Sequence, residues 1–384
     1  MRRLGVIAVA CVGVVAGAIG TAALVDDEAT VLPAARPAVV ERVERKAVPV
    51  PEAGTLLTWV SGGLPAGFAE RVVDAGFADA TVVLGDVVWM AGSTDADGRA
   101  VDTLDPGWAV PLDAAAFDCA TWAPLVPLAE ATAVCDLASD EALLGETSAR
   151  LRGLGAGSTI VLDGGHAVRV VGVVDDDAVG AAELVLPADG AAAAGVGTPR
   201  YVLVSFRGSR SAAEDAIRRA SPGVALRVRG PGETPWLRHG DAVLPQSIVK
   251  ERYGEWRARR LGGGRFEIDA TWRTANLVTE DLPVLGRVTC HRGVLDALRP
   301  ALEELAGRGA VGDVDRRASG CWNPRTIAGT DQPSRHAWGI AVDLVPAPAD
   351  GEIVDVLERW GFTWGGRWLS PDPVHFEPVR APKA

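Results

Sequence analysis

The first feature of the hydrophobic pattern is an uninterrupted apolar run near the N-terminus. Arg2 and Arg3 precede the run from Leu4 to Leu24, which contains no charged residue. A run of this length spans a bilayer, which needs about 20 residues, and the preceding arginines favour a cytoplasmic N-terminus. We therefore expect residues 1–25 to form a signal anchor or transmembrane helix, with the rest of the chain outside the cytoplasm. A cleaved signal peptide is the alternative, because the small residues 20–23 offer a cleavage site.

Residues 26–53 interrupt the apolar pattern with prolines and with charges that alternate between Glu41 and Lys46. Such a composition cannot bury enough apolar surface to fold alone. We predict a Pro-rich linker that holds the rest of the chain away from the membrane as a semi-extended tether.

Residues 54–232 alternate between strand-like and helix-like patterns, which predicts a mixed α+β domain. Leucines on one face predict a helix over residues 140–153, and a second helix is expected over residues 211–220. Runs rich in valine and leucine predict strands, and the glycines at 164–165 predict the turn of a hairpin. The predicted strands are 81–84 continued by 87–89, 158–162, 167–174, 183–186, 201–206 and 224–228.

A Gly- and Pro-rich stretch at residues 230–235 marks a boundary, and we assign a second domain to residues 236–380. Apolar residues at helical spacing predict amphipathic helices over residues 292–306 and 351–360. Between them, an alternating pattern predicts a strand over residues 338–344.

Composition and cysteine usage restrict the class of protein. A formal net charge of -12 argues against a nucleic-acid binder. Cys11 lies within the apolar run, and the other four cysteines form an even set, which in an extracytoplasmic chain suggests two disulfides. The pairing that respects the domain limits is Cys119 with Cys135 and Cys290 with Cys321. A Cys-rich metal site is the alternative, but no two cysteines have the Cys-x-x-Cys spacing.

Two short stretches near the C-terminus concentrate the side chains that carry chemistry. The first contains His336 and Asp343, and the second contains Asp372, His375 and Glu377. Two imidazoles and one carboxylate with an open fourth position are the composition of a catalytic zinc site, so we expect His336, Asp343 and His375 to bind Zn²⁺. A nearby carboxylate must then accept the proton of the attacking water, and both Asp372 and Glu377 qualify. The alternative is that these are ordinary polar residues at strand ends, without a role in metal binding.

The two stretches read Ser-x-His-x-x-Gly-x-Ala-x-Asp and Asp-x-x-His-Phe-Glu. They resemble the signature of VanY-type D-alanyl-D-alanine carboxypeptidases, which are related to VanX-type dipeptidases and phage L-alanyl-D-glutamate endopeptidases. The resemblance covers residues 240–380 and implies a small antiparallel sheet flanked by helices, with one zinc ion held by the two histidines and Asp343. It also implies that Asp372 is the general base and that Glu377 orients His375.

Two further site residues follow from the same resemblance. Arg325 lies where these enzymes use an arginine on the polarised carbonyl or the substrate carboxylate, and a surface arginine is the alternative. Ser334 lies where they use a serine that contacts substrate, and a hydroxyl that caps a turn is the alternative. His291 is expected to cap or bond locally and not to act as a fourth ligand. In the middle domain, residues 144–174 resemble the extracytoplasmic core of MacB- and FtsX-type permeases, which suggests an envelope protein as a partner.

The sequence therefore predicts an α+β protein with an N-terminal transmembrane anchor, a mixed α+β middle domain and a C-terminal zinc peptidase domain. We expect a single-pass membrane protein whose catalytic domain hydrolyses peptidoglycan stem peptides outside the cytoplasm, with release of terminal D-Ala as the first candidate reaction. An L-Ala–D-Glu endopeptidase is one alternative. A wall-binding or regulatory module without turnover is the other, because a fold alone does not establish activity.

Overall fold

The computed structural model describes residues 53–77, 79–126, 128–230, 233, 240–241, 244–310, 312, 314–349 and 351–379, with only the backbone of 53 and of 128–130. The chain divides into two compact units, Met1–Val48 and Pro49–Ala384, and every described residue belongs to the second. We call residues 53–230 the sheet region and residues 244–379 the C-terminal region.

The sheet region is built on one ten-stranded sheet with the order β10-β1-β9-β2-β4-β8-β5-β7-β6, in which β3 pairs with β2 and β2 also pairs with β6. Most neighbouring strands are antiparallel, whereas β4–β8 and β5–β7 are parallel. The strands are β1 (Ala53–Trp59), β2 (Ala80–Thr94), β3 (Ala100–Thr103), β4 (Val110–Phe117), β5 (Glu141–Gly145), β6 (Thr159–Leu162), β7 (Ala167–Val174), β8 (Leu184–Pro187), β9 (Pro199–Arg207) and β10 (Arg227–Arg229).

Short helices cover this sheet. They are α1 (Phe68–Val73), α2 (Cys119–Trp122), α3 (Leu128–Cys135), α4 (Glu146–Arg152), α5 (Ala188–Ala191) and α6 (Arg210–Ala220). The predicted helix over residues 140–153 was wrong in its first part, which forms β5. Leu143 and Leu144 are both buried there between β7 and β8, and a continuous apolar run suits a strand that is covered on both faces.

The C-terminal region contains three small antiparallel sheets instead of the single one predicted: β11–β12, β13–β14 and β15-β17-β16. Its elements are α7 (Gln246–Tyr253), β11 (Ala258–Gly262), β12 (Arg265–Ile268), α8 (Ala270–Asn276), β13 (Leu277–Leu282), β14 (Gly286–His291), α9 (Arg292–Arg308), β15 (Val342–Asp343), α10 (Glu352–Arg359), β16 (Phe362–Trp364) and β17 (His375–Pro378). Both predicted helices of this region are confirmed as α9 and α10, which pack with β14 to β17 around one hydrophobic core.

The predicted fold class was wrong. The middle of the chain is dominated by one large sheet with short helices, and the C-terminal region has no single small sheet. Within the described ranges, no helix is both long enough and apolar enough to cross a membrane. Residues 1–25, which were predicted to be an anchor, and nearly all of the predicted linker lie outside those ranges.

The two regions share a hydrophobic core. Val87 and Trp89 of β2 belong to the same buried cluster as Trp256, Phe266 and Trp338 of the C-terminal region. Ala109 and Ala258 also form an antiparallel bridge between the regions. The C-terminal region is therefore packed directly on the large sheet. The predicted boundary at residues 230–235 lies largely outside the described residues, and the division into two domains stays a prediction.

A buried cluster of charges reinforces this packing. The Lys250 Nζ of α7 lies 2.7 Å from Glu183 Oε1 and 3.0 Å from Glu255 Oε1, and the side chains of Lys250 and Glu183 are fully buried. Arg152 pairs with the same two carboxylates, at 2.8 Å from Glu183. Gln246 Nε2 donates to Glu183 Oε2 at 2.7 Å. Two buried cations thus balance two carboxylates between α4, α7 and the large sheet, as burial of charge requires.

Candidate metal centre

Asp343 and His375 occupy directly opposite positions on the antiparallel strands β15 and β17. The neighbouring backbone bond from Leu344 N–H to the Val374 carbonyl, 2.9 Å long, holds this register. Opposite residues of an antiparallel pair project from the same face of the sheet. Their side chains therefore meet, with Asp343 Oδ1 3.2 Å from His375 Nδ1.

His336 lies on a single turn of 3-10 helix, Arg335–Trp338, just before residue 340, whereas we expected it to stand at the entry of a strand over residues 338–344. Ser334 begins this turn, since its Oγ accepts the His336 N–H at 3.3 Å. Gly339 ends it with a φ of 67°. A Cβ at Gly339 would lie 3.0 Å from the backbone nitrogen of His291, which already donates to the Gly339 carbonyl. Strand geometry begins only at Val342, so the predicted strand was mostly wrong.

The three predicted ligands form a compact triangle. His336 Nε2 lies 3.1 Å from both Asp343 Oδ1 and His375 Nδ1, which are themselves 3.2 Å apart. In a tetrahedral zinc site with bonds of about 2.0 Å, ligand atoms lie about 3.3 Å apart. Among the described residues, these three form the one group of His, Cys, Asp and Glu that could hold a metal ion. The donor set and its spacing fit one divalent ion.

The remaining nitrogen of each imidazole is directed towards an acceptor on the other side of the ring. His336 Nδ1 donates to the Cys321 carbonyl at 2.7 Å, which leaves the Nε2 lone pair directed at the triangle. His375 Nε2 lies 3.9 Å from Glu377 Oε2. Acceptors of this kind determine the tautomer and orientation of metal-binding histidines. Cys321 is itself held by a disulfide to Cys290, which confirms one predicted pairing; the other, Cys119–Cys135, is also confirmed.

The electrostatics of the triangle favour a cation. Burial opposes the charged imidazole, but hydrogen bonding to Asp343 and Glu377 outweighs burial and raises the pKa of His375 to about 9. Burial likewise opposes the charged Asp343 carboxylate, but the two histidines hold its pKa well below its usual range. The excess of negative charge that stabilises a proton here would also stabilise a metal ion.

Arg335 is a site residue that sequence reasoning missed. Its Nε lies 3.9 Å from Glu377 Oε2, and its Nη2 donates to the Leu244 carbonyl at 2.6 Å. Its guanidinium also lies over the Trp338 ring, 5.9 Å from the centroid. Burial lowers the pKa of the Arg335 guanidinium, and the charge of Glu377 opposes this decrease. The position of Arg335 immediately before His336 was the only signal in the sequence.

The two predicted carboxylates lie in different environments. Asp372 is exposed, and its backbone carbonyl accepts the His375 N–H at 3.1 Å, so a tight turn joins it to the last ligand. Glu377 is buried, and it faces the His375 nitrogen that points away from the triangle. This placement suits Glu377 for orienting His375 and leaves Asp372 as the carboxylate that water can reach.

The remaining predicted residues have local contacts. Ser334 is buried, and its N–H donates to the Arg325 carbonyl at 3.0 Å. Arg325 is half-buried, and its Nη1 donates to the Thr326 carbonyl at 3.3 Å. Contacts of Ser334 and Arg325 with a substrate stay predictions. His291 caps α9 by accepting the Gly293 N–H at 2.9 Å, as predicted.

A comparison with known protein families gives a match within the C-terminal region. Residues 328–378 match the family model described as D-alanyl-D-alanine carboxypeptidase, and the matched segment contains the whole triangle. No curated protein matches the chain. The resemblance of residues 144–174 to permease core domains stays a prediction. The triangle of His336, Asp343 and His375 therefore lies in a segment that is similar to D-alanyl-D-alanine carboxypeptidases.

Proposed function

We propose that this protein is an extracytoplasmic zinc metallopeptidase that hydrolyses peptidoglycan stem peptides, as a D-alanyl-D-alanine carboxypeptidase. The observation that carries the proposal is the triangle formed by His336 Nε2, Asp343 Oδ1 and His375 Nδ1, with edges of 3.1 to 3.2 Å. Three protein ligands with an open position distinguish a catalytic zinc site from a closed structural one.

His336, Asp343 and His375 would hold the zinc ion. When bound, zinc would polarise the scissile carbonyl and lower the pKa of a water molecule to about 7. Glu377 and the Cys321 carbonyl keep the two imidazoles oriented, so that the protein supplies a rigid set of donors.

Asp372 is the proposed general base. Its exposed carboxylate is three residues from the last ligand, and it would accept a proton from water and return it to the leaving amine. Arg325 would bind the terminal carboxylate of the peptide, because a guanidinium matches a carboxylate in bidentate geometry.

The two disulfides support the proposed location. Cys119–Cys135 and Cys290–Cys321 are both formed, and structural disulfides persist in oxidising compartments outside the cytoplasm. Peptidoglycan stem peptides are found in the same compartment. We also propose, from the sequence alone, that the sheet region binds an envelope protein.

The decisive experiment is product analysis by mass spectrometry after the zinc-loaded full chain is incubated with a defined muropeptide pentapeptide. Loss of one D-Ala is the expected result, and the Asp343→Asn variant should leave the peptide intact. Cleavage between L-Ala and D-Glu would replace the carboxypeptidase with an endopeptidase. An intact substrate, with stoichiometric zinc confirmed in the protein, would contradict the proposed activity and favour a binding module.

A further inference from the structure

The proposed base lies on a compact loop, residues 365–374, which we call the base loop. The Gly365 carbonyl accepts two N–H groups, those of Trp368 and Asp372, each at 3.0 Å. The indole nitrogen of Trp364 donates to the Pro373 carbonyl at 2.8 Å. A Cβ at Gly365 would lie 2.6 Å from the Asp372 carbonyl oxygen, so the loop closes this tightly only around a glycine.

A carboxylate from a distant part of the chain binds the middle of the base loop. Asp241 Oδ2 accepts the N–H groups of Leu369 at 2.9 Å and Ser370 at 3.4 Å. The Asp241 side chain is only 9% exposed, and its bond to Leu369 is partly buried, whereas the bond to Ser370 is exposed. Charge-assisted bonds of this kind are stronger than bonds between neutral groups.

Arginines of β10, the edge strand of the large sheet, hold both Asp241 and the base loop. Arg227 Nη2 donates to the Arg367 carbonyl at 3.3 Å and lies 3.5 Å from Asp241 Oδ1. Arg229 Nη2 donates to the Gly240 carbonyl at 3.2 Å. The polar contacts therefore run from the sheet region through residues 240–241 to the loop.

An apolar contact adds to these bonds. Leu369 packs against a buried cluster of the sheet region that includes Leu57, Phe117 and Trp122. The next residue before it, Trp368, lies with its ring centroid 5.1 Å from that of His375. The base loop is thus attached to the sheet region on one side and contacts a metal ligand on the other.

We propose that the sheet region positions the base loop for catalysis, and that Asp241 and Arg227 are positioning residues for Asp372. The role of Asp372 rests on the proposed function, whereas the attachment of the loop does not. A loop holds a catalytic group less accurately than a helix or strand unless other groups support it. A displacement of about 1 Å can cost about 100-fold in rate, so the attachment has a direct consequence for turnover.

The test compares the full-length wild type with Asp241→Ala by three measurements. Hydrogen–deuterium exchange should show faster exchange in peptides that cover residues 365–374. Turnover of the pentapeptide should fall in kcat by about 10- to 100-fold, with KM close to wild type, because the base is displaced and the substrate contacts remain. Zinc affinity, measured by competition with a chelator, should change much less than kcat, because the pairing of β15 with β17 holds Asp343 and His375 in place without Asp241.

Matched variants separate positioning from damage to the fold. Asp241→Asn keeps an oxygen acceptor and should restore much of the protection. Arg227→Gln should reproduce part of the loss through a different residue. Asp97→Ala removes an exposed carboxylate that pairs with Arg99 on the β2–β3 turn, and it should match wild type in all three measurements.

Each outcome decides the proposal. Unchanged exchange of the base loop in Asp241→Ala would overturn the attachment. Faster exchange with unchanged kcat would overturn the catalytic role of that attachment. If the wild type hydrolyses no stem peptide, the proposed function fails, while the exchange measurement still decides whether Asp241 holds the loop.

Discussion

The Asp343 carboxylate and the His375 imidazole face each other from directly opposite positions of β15 and β17, with Oδ1 and Nδ1 3.2 Å apart. Two of the three donors therefore lie on paired strands, which hold side chains more accurately than loops do. The third donor, His336, is held by its own turn and by the Cys321 carbonyl.

Replacement of His336 by alanine should abolish retention of zinc. Two ligands remain in this variant, and a catalytic zinc site needs three from the protein. The measurement is the metal content of purified protein after dialysis. His166→Ala is the matched control, because it removes a histidine of the β6–β7 turn, outside the triangle. Stoichiometric zinc in His336→Ala would exclude His336 as a ligand.

Asp372→Asn and Glu377→Gln should have different effects. Loss of the base should lower kcat by about 100- to 10,000-fold with zinc affinity unchanged. Loss of the Glu377 charge should weaken zinc binding by about 10- to 100-fold, because this residue orients His375. Chelator competition and steady-state kinetics on both variants provide the comparison. An active Asp372→Asn variant would show that another group is the base.

Removal of the Cys290–Cys321 disulfide should affect both stability and the metal centre. The 31-residue separation predicts a loss of about 3 to 4 kcal/mol in the free energy of unfolding. Zinc affinity should also fall, because the Cys321 carbonyl orients His336. The double variant Cys290→Ala/Cys321→Ala tests this by denaturant unfolding and chelator competition.

The other disulfide supplies the control for that variant. Cys119 and Cys135 are 16 residues apart in the sheet region, and their removal should cost about 3 kcal/mol without a change in zinc affinity. Equal zinc affinities in the two double variants would show that the Cys290–Cys321 bond has no influence on the metal centre.

The buried charge cluster predicts a loss of stability in acid. Burial alone would raise the pKa of Glu183, but Lys250 and Arg152 outweigh it and lower the pKa to about 2 from 4.5. A lowered pKa in the folded state means that the carboxylate stabilises the fold above pH 4.5. This contribution is lost as the pH falls from about 4.5 towards 2. Denaturant unfolding at a series of pH values should show this decline.

Two variants test the assignment of that decline to Glu183. Glu183→Gln should be less stable at pH 7, because Lys250 and Arg152 lose a buried partner, and its stability should depend less on pH below 4.5. Glu251→Gln removes the charge of a residue that lies next to Lys250 on α7 and forms an exposed pair with Arg150. This variant should keep the wild-type dependence of stability on pH. Identical pH profiles for wild type and Glu183→Gln would contradict the assignment.

Local patterns in the sequence were sufficient for several elements. The spacing of apolar residues predicted α9 and α10, and the glycine turn predicted the β6–β7 hairpin. The prediction assigned β5 to a helix. An apolar run that is buried on both faces of a sheet does not alternate with polar residues, so its pattern does not distinguish a strand from a helix. The turn that carries His336 was also missed, because the apparent alternation from Ile340 to Leu344 predicted a strand, whereas the structure buries Ile340, Ala341 and Val342 alike.

The sequence by itself determined which side chains could supply the chemistry of the site, because the types and spacing of His336, Asp343 and His375 already predict a group that could hold a metal ion. Only the tertiary structure decided how that set is assembled and supported. The pairing of β15 with β17, the contact of Arg335 with Glu377 and the binding of the base loop by Asp241 join residues that are distant in the chain. Such contacts depend on how the strands pair and the regions pack, and local periodicity carries no information about either.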